Sequence, residues 1–311
     1  MRKISLRKYT EDKYLDLVDV VESIKKSSLE ISKLLKYKNC KEDIKIDKNF
    51  SGDIQNKVDI LSHNIFVENI LETKRVSTLI SEEADNPINY KHTVDKQTYS
   101  FVIDPLDGSS NIDCNIPVGT IFGIYKNKKN NLTDILGDSE NLVCSGYILY
   151  SFSTELVLTF RKGVVSFMYD DNEEDFIMEN DNLKFPEMEK HIFSVNIGNC
   201  ENWDKFSQEI FFTLIENNYT SRYIGSMVAD IHRTLFYGGI FSYPKDKKNK
   251  NGKLRLIYEC KPISLIVEQA GGFSTDGEKN ILDIKAKNIH QKTGFFSGSP
   301  KIMKKLFPDI K

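Results

Sequence analysis

The chain has 311 residues, 40% hydrophobic and 28% charged, with a formal net charge of -2. That length supports one large core or two smaller ones, and the near-neutral balance argues against a nucleic-acid binder, which carries a basic excess. No apolar run is long enough to cross a bilayer, and residues 1–8 lack the apolar stretch of a signal peptide. The five cysteines are odd in number and form no C-x-x-C pair, so the expectation is reduced thiols in a cytoplasmic protein.

Residues 11–35 are predicted to form one amphipathic helix capped by Thr10, with Tyr14, Val18, Val21, Ile24, Ile31 and Leu35 at three- and four-residue steps. The lysine-rich stretch 36–49 reads as a loop. Residues 52–59 lead into a second helix with Val58, Leu61, Ile65 and Ile70 as its inner stripe. Asp53 and Asp59 lie near its start, where carboxylates ordinarily serve the helix dipole. Residues 75–80 read as a buried strand that stops at Ser81, Glu82 and Glu83.

Residues 101–103 form a second apolar, β-prone run, and it too ends in acids: Asp104, Pro105, Leu106, Asp107, then Gly108, Ser109, Ser110 and Asn111. Pro105 offers no N–H, so the carbonyls and carboxylates around it are free for a hard cation. The small residues after it have the make-up of an anion-binding turn. Two neighbouring strands with acidic ends would gather four carboxylates in one crevice, which is unfavourable unless a cation neutralises them. Metal-assisted phosphoryl chemistry accounts for both features, and an ordinary acidic hairpin, which uses the same residue types, is the alternative.

Strands are expected at 120–125, 142–150, 156–160 and 164–169, with 127–131 and 170–175 as solvated loops. Residues 181–189 offer a domain boundary, giving units 1–186 and 187–311. The second unit reads as a strand at 191–195, a helix at 203–216, a helix at 229–237 and a strand at 240–243. A basic loop (245–253), a strand at 254–258 ending in Glu259, and a helix at 264–270 follow. His63 and His232 read as structural.

Three blocks carry a resemblance. The run Asp104-Pro105-Leu106-Asp107-Gly108-Ser109-Ser110-Asn111-Ile112-Asp113 resembles the metal-and-phosphate motif of the class 1 fructose-1,6-bisphosphatases, within the lithium-sensitive phosphatase superfamily. Residues 253–262 resemble that family's second signature, and residues 222–233 a third block, in the same order and spacing. The resemblance implies a layered α-β-α-β-α sandwich of two sub-domains, each a sheet flanked by helices, with the active site between the halves. It implies that Glu82, Asp104, Asp107, Glu259 and the Leu106 carbonyl hold divalent cations, Mg²⁺ or Mn²⁺, two or more per site. Gly108, Ser109 and Ser110 would hold the 1-phosphate, and Asp53, Asp59 and Glu83 would shape and activate the attacking water. Asn196, Tyr223, Tyr243 and Lys253 would grip the sugar and its 6-phosphate. Arg222 would reach into a neighbouring subunit's site, implying an oligomer, a tetramer. The implied reaction is hydrolysis of fructose 1,6-bisphosphate; the alternatives are a sedoheptulose-1,7-bisphosphatase and a catalytically silent regulator.

Two departures from the family pattern stand out. Asn199 occupies the position of a family tyrosine that contacts the 6-phosphate. The loop that binds AMP in inhibited members lacks its glycine (residues 9–13 here), and two of its cationic positions are Thr98 and Lys126. Thr98 in place of a lysine removes a cation, and Lys126 in place of an arginine cannot copy its bidentate fork, which predicts weak or no inhibition by AMP.

Overall fold

The computed structural model describes residues 3–36, 57–90, 98–128, 132–137 and 139–310, and the fold below is that of these residues. Asp53 and most of the lysine-rich stretch 36–49 lie outside them. The N-terminal helix is two helices. Ser5 caps α1 (Leu6–Lys13) by accepting from Lys8 N. Thr10, expected as a cap, lies inside α1 and returns its hydroxyl to the Leu6 carbonyl at 2.8 Å. The backbone leaves helical geometry at Tyr14 (φ -143°), makes a 3-10 turn over Leu15–Leu17 and resumes as α2 (Val18–Lys36). The break turns the Tyr14 ring onto Phe160, stacked at 3.8 Å between centroids. In α3 (Lys57–Glu72), Val58 and Ile70 are buried as expected, but Leu61 and Ile65 are only half-buried, and Phe66, Ser62 and Asn69 fill the inner face instead.

The large sheet comprises β1 (Val76–Ser81), β2 (Ile88–Asn89), β3 (Tyr99–Asp107), β4 (Val118–Lys126), β5 (Leu142–Tyr150), β6 (Thr154–Thr159), β7 (Val164–Asp170) and β8 (Asp175–Asn180), with the short α4 (Thr133–Leu136) between β4 and β5. Its order is β2-β1-β3-β4-β5-β6-β7-β8, with β1 and β3 parallel and every other pair antiparallel. Residues 170–175 form a hairpin turn rather than an open loop. The strand after it is hard to see in sequence because it is a polar edge on which Phe176 alone is fully buried.

The second sheet takes β9 (Ile192–Ser194), β10 (Thr220–Ser221), β11 (Ile240–Tyr243), β13 (Phe273–Thr275) and β15 (Phe295–Gly298) in the order β10-β9-β11-β15-β13. A separate ribbon pairs β12 (Leu254–Arg255) with β14 (Lys292–Thr293). The helices of this half are α5 (Lys205–Glu216), α6 (Met227–Tyr237), α7 (Lys261–Gln269) and α8 (Pro300–Leu306). None of the helices described is long and apolar enough to cross a membrane.

Three sets of buried side chains fix the layering. Ile24 and Phe66 of the N-terminal helices pack with Phe101, Ile103 and Ile148 on one face of the large sheet. On its other face Ile121, Tyr147 and Val157 meet Val228 of α6 and Ile263 of α7, which also meet Phe241 and Phe295 of the second sheet. Phe211 of α5 and Ile302 of α8 close the far side of that sheet against Phe193 and Phe296. The result is the expected five-layer α-β-α-β-α sandwich. Alternation along β3 sends Phe101 and Ile103 toward the N-terminal helices and Val102 toward the middle layer.

The strand expected over 254–258 is a correction. Only Leu254 and Arg255 pair as a strand; the backbone then winds through one π turn, Leu256–Cys260, straight into α7. All five residues of the turn are buried. A short, fully buried apolar run has no periodicity to separate strand from helix, which is why the sequence misleads here.

Candidate active site

Glu82 follows β1 directly, and its N–H donates to the Ile103 carbonyl at 3.1 Å, which ties it to β3. Asp104 lies within β3 and is 3% exposed, and Asp107 ends it. Glu259 arrives from the π turn, its carboxylate accepting from the Arg255 N–H. One oxygen each of Glu82, Asp104 and Glu259 lie within 4.8 Å of one another. Burial, then Glu82 and Glu259, hold the Asp104 carboxyl well above the usual range. Burial pushes Glu259 up to about 8, against the opposing pull of Arg255. Asp107 is raised by burial, but Val228 N–H (2.9 Å) and Ser226 Oγ (2.7 Å) at the start of α6 both donate to it and limit the rise.

Gly108 makes the turn that follows. Its φ of +76° suits glycine, and a Cβ there would come within 2.7 Å of Ser226 Cβ. The chain then enters a 3-10 helix, Ser109–Cys114, whose first N–H groups have no acceptor within the helix. Together these residues line a cavity of about 280 Å³. It brings together Asp59, Glu82, Glu83, Asp104, Leu106, Asp107, Gly108, Ser109, Ser110, Tyr223, Tyr243, Lys253 and Glu259. Among the described residues, two expected ones do not line it. Arg222 is exposed, and Asn196 faces an adjoining crevice that also shares Tyr243.

Arg255 and Ser226 were not singled out from the sequence. The Arg255 side chain is 6% exposed, and its Nη2 lies 2.6 Å from Glu82 Oε1. It sits two residues beyond Lys253, so the alternation of a strand was an available signal. Ser226 also caps α6, its Oγ accepting from Ala229 N. His63 and His232 are structural, as expected: His63 Nδ1 pairs with Ser81 Oγ at 2.8 Å and His232 Nδ1 with Tyr147 Oη at 2.9 Å.

The donor set fits hard divalent cations. It is all carboxylate, its oxygens converge, and without added positive charge the burial of so many acids lifts their proton affinity.

Comparison with known proteins agrees with this geometry. Residues 19–181 match the model of the fructose-1-6-bisphosphatase N-terminal domain, and residues 186–309 that of the C-terminal domain. The chain belongs to the fructose-1,6-bisphosphatase family. It is 44% identical over 260 residues to a fructose-1,6-bisphosphatase class 1 of Sulfurihydrogenibium sp., covering 83% of this chain and 80% of the relative. It is equally identical over 261 residues to a cytosolic fructose-1,6-bisphosphatase of Beta vulgaris, covering 81% and 76%. The holo structure of Leishmania major fructose-1,6-bisphosphatase superposes with a TM-score of 0.91 at 35% identity over 99% of both chains, and its apo form with 0.88 at 34%.

Asn199, which stands where the resemblance puts a tyrosine, has partners within this chain. Its Nδ2 donates to Asp246 at 2.9 Å and its Oδ1 accepts from Asn202 at 2.7 Å. In the region of the AMP loop, residues 9–13 are helical in α1, and the Thr98 hydroxyl accepts from Asn127 at 3.2 Å.

Proposed function

We propose that this chain hydrolyses D-fructose 1,6-bisphosphate to D-fructose 6-phosphate and phosphate, with divalent metal ions, Mg²⁺ or Mn²⁺. The observation that carries the reading is the convergence of Glu82, Asp104 and Glu259 beside the Gly108–Ser110 turn in one polar cavity. Residues Glu82, Asp104, Asp107, Glu259 and the Leu106 carbonyl are the proposed ligands, and the cations, when bound, neutralise charge on the phosphoryl and leaving oxygens. The N–H groups of Gly108, Ser109 and Ser110 donate to the phosphate being transferred. Glu83 or Asp59 accepts the proton of the attacking water as its oxygen bonds to phosphorus and the bond to the C1 oxygen breaks. Asp53 is assigned a supporting part in holding that water. Lys253, Tyr243, Tyr223 and Asn196 grip the far phosphate, so binding energy remote from the reacting bond orients it.

The proposed assembly is a cytoplasmic homotetramer in which Arg222 of one subunit completes the far-phosphate site of the next; the exposure of Arg222 outside its own cavity supports this. The deciding experiment is phosphate release from several sugar phosphates, with and without Mg²⁺, for wild type and Asp104→Asn. Mg²⁺-dependent release from fructose 1,6-bisphosphate that Asp104→Asn lowers by about 10²-fold or more is expected. A higher kcat/KM for sedoheptulose 1,7-bisphosphate would move the assignment to the seven-carbon sugar. No Mg²⁺-dependent release at all would mean a silent relative.

A further inference from the structure

Lys253 is exposed, and its Nζ lies 5.8 Å from the centroid of the Tyr243 ring. An exposed lysine on a lysine-rich loop has no reason of its own to stay beside one tyrosine. What holds the loop is Asp246, which is 8% exposed. Its Oδ1 accepts from the N–H groups of Lys248 (2.8 Å) and Asn249 (2.6 Å), and its Oδ2 from Asn199 Nδ2 (2.9 Å). Burial would raise this carboxyl, but the donors of Asn249, Asn199 and Lys248 outweigh it and hold it low, so the group stays a charged acceptor. Further bonds run alongside. Asp246 forms an isolated bridge with Trp203, Lys247 N donates to the Asn202 carbonyl at 2.9 Å, and Lys247 Nζ reaches the Glu201 carbonyl at 2.8 Å.

The far end of the loop is fixed as well. Gly252 has φ +82°, its N–H donates to the Asn249 carbonyl at 2.9 Å, and a Cβ there would lie 2.0 Å from the Thr293 carbonyl. Lys253 is the next residue. Asn199 sits on the 3-10 turn that begins at Ile197, one residue after Asn196, and its N–H donates to the Asn196 carbonyl at 3.0 Å. Asn199 therefore bonds Asn196 through its backbone, shares a crevice with Asn196 and Tyr243, and bonds through its side chain to the anchor of the loop bearing Lys253.

We propose that Asn199 and Asp246 are positioning residues: their hydrogen bond locks the turn bearing Asn196 to the loop bearing Lys253, and so sets the affinity of the far-phosphate subsite. This rests on the reading that Lys253 and Tyr243 hold that phosphate. On this account Asn199 does not substitute for the tyrosine of the family pattern as a phosphate contact; its amide faces the loop.

The test is a double-mutant cycle on binding of fructose 6-phosphate, measured by calorimetry without added metal, together with KM and kcat for the bisphosphate. Asn199→Leu weakens binding and raises KM by about three- to tenfold, the scale of one lost hydrogen bond, with kcat within about twofold. In a Lys253→Met background the same change has a smaller effect, because part of what the brace holds in place is that lysine. Asp246→Asn, which keeps the size of the side chain, serves as the second entry to the cycle should Asn199→Leu not fold, and Asn199→Gln restores part of the affinity. Effects that simply add in the Lys253→Met background, or an unchanged affinity in Asn199→Leu, overturn the brace while leaving the functional reading intact. A wild type that neither binds nor hydrolyses these sugars overturns both.

Discussion

A buried pair away from the cavity gives a pH prediction whose sign is not obvious. His232 on α6 lies with its Nε2 3.5 Å from Glu155 Oε2 on β6, while its Nδ1 meets Tyr147 Oη. Burial lowers His232 from 6.5 to about 4, and burial with Glu179 raises Glu155 from 4.5 to about 7. Taken alone, Glu155 contributes stability that is present below pH 4.5 and lost as pH rises through 7. His232 alone contributes stability present above pH 6.5 and lost as pH falls toward 4. Between about 4.5 and 6.5 the unfolded chain carries one proton on the pair, on the histidine, and the folded chain also carries one. The proton counts match, so the pair adds almost no slope to stability in that window. Glu155→Gln removes one side of the cancellation. The histidine shift from 6.5 to about 4, at 1.36 kcal/mol per unit, is about 3 kcal/mol, reduced to about 2 by partial solvent access. At roughly 2 °C per kcal/mol for a chain of this size, Glu155→Gln should lose about 4 °C more than wild type between pH 7 and pH 4.5. His232→Asn should show the opposite sign, losing stability as pH rises from 4.5 to 7. Thermal melts in half-unit pH steps, read as differences from wild type, check both. Parallel curves for all three proteins would refute the reasoning.

The other predictions concern the cavity and its surroundings. Arg255→Met leaves Glu82, Asp104 and Glu259 facing one another without their buried cation; in metal-free buffer it should cost about 3–5 kcal/mol, partly recovered on adding Mg²⁺, and an unchanged melting curve would count against it. Gly108→Ala forces a Cβ against Ser226 and a strained φ, so phosphate release should fall sharply along with about 1–3 kcal/mol of stability, measured by denaturant titration. AMP at micromolar concentration should inhibit phosphate release weakly or not at all, since Thr98 stands at a cationic position of the family pattern and its hydroxyl is bonded to Asn127 just past β4; strong inhibition would sink this.

The parts of the fold legible in the sequence were those where one periodicity dominates. Residues 142–150 and 240–243 were bounded to the residue because apolar strands there stop at polar turns. The acids at the ends of β1 and β3 were legible for a related reason: an abrupt change from apolar to charged marks a strand end, and neighbouring parallel strands put those ends side by side. Three things were not legible. The division of α1 from α2 depends on Tyr14 finding Phe160, a contact across 146 positions that no local pattern encodes. The π turn at Leu256–Cys260 is buried on every side, so its residues carry no face to read. The role of Arg255 depends on Glu82, which is remote in sequence and reaches it only once β1 and the π turn are packed together.

The same packing explains how one short helix links the two ends of the proposed substrate site. The first turn of α6 supplies Ser226 Oγ and Val228 N–H to Asp107, at the metal end. One turn on, Asp230, fully buried, accepts from the N–H groups of Ile224 (3.1 Å) and Gly225 (3.0 Å) and from Arg233, which orders the loop presenting Tyr223 at the other end. Asp107 and Tyr223 therefore share one rigid support, and the helix dipole favours both of its carboxylate partners. A site built on a single helix holds the spacing between its two anion-binding ends more tightly than one built on separate loops. On the proposed reading that rigidity serves a sugar with a phosphate at each end, and Asp230, which does not line the cavity, orders its Tyr223 end through the Ile224 and Gly225 N–H groups.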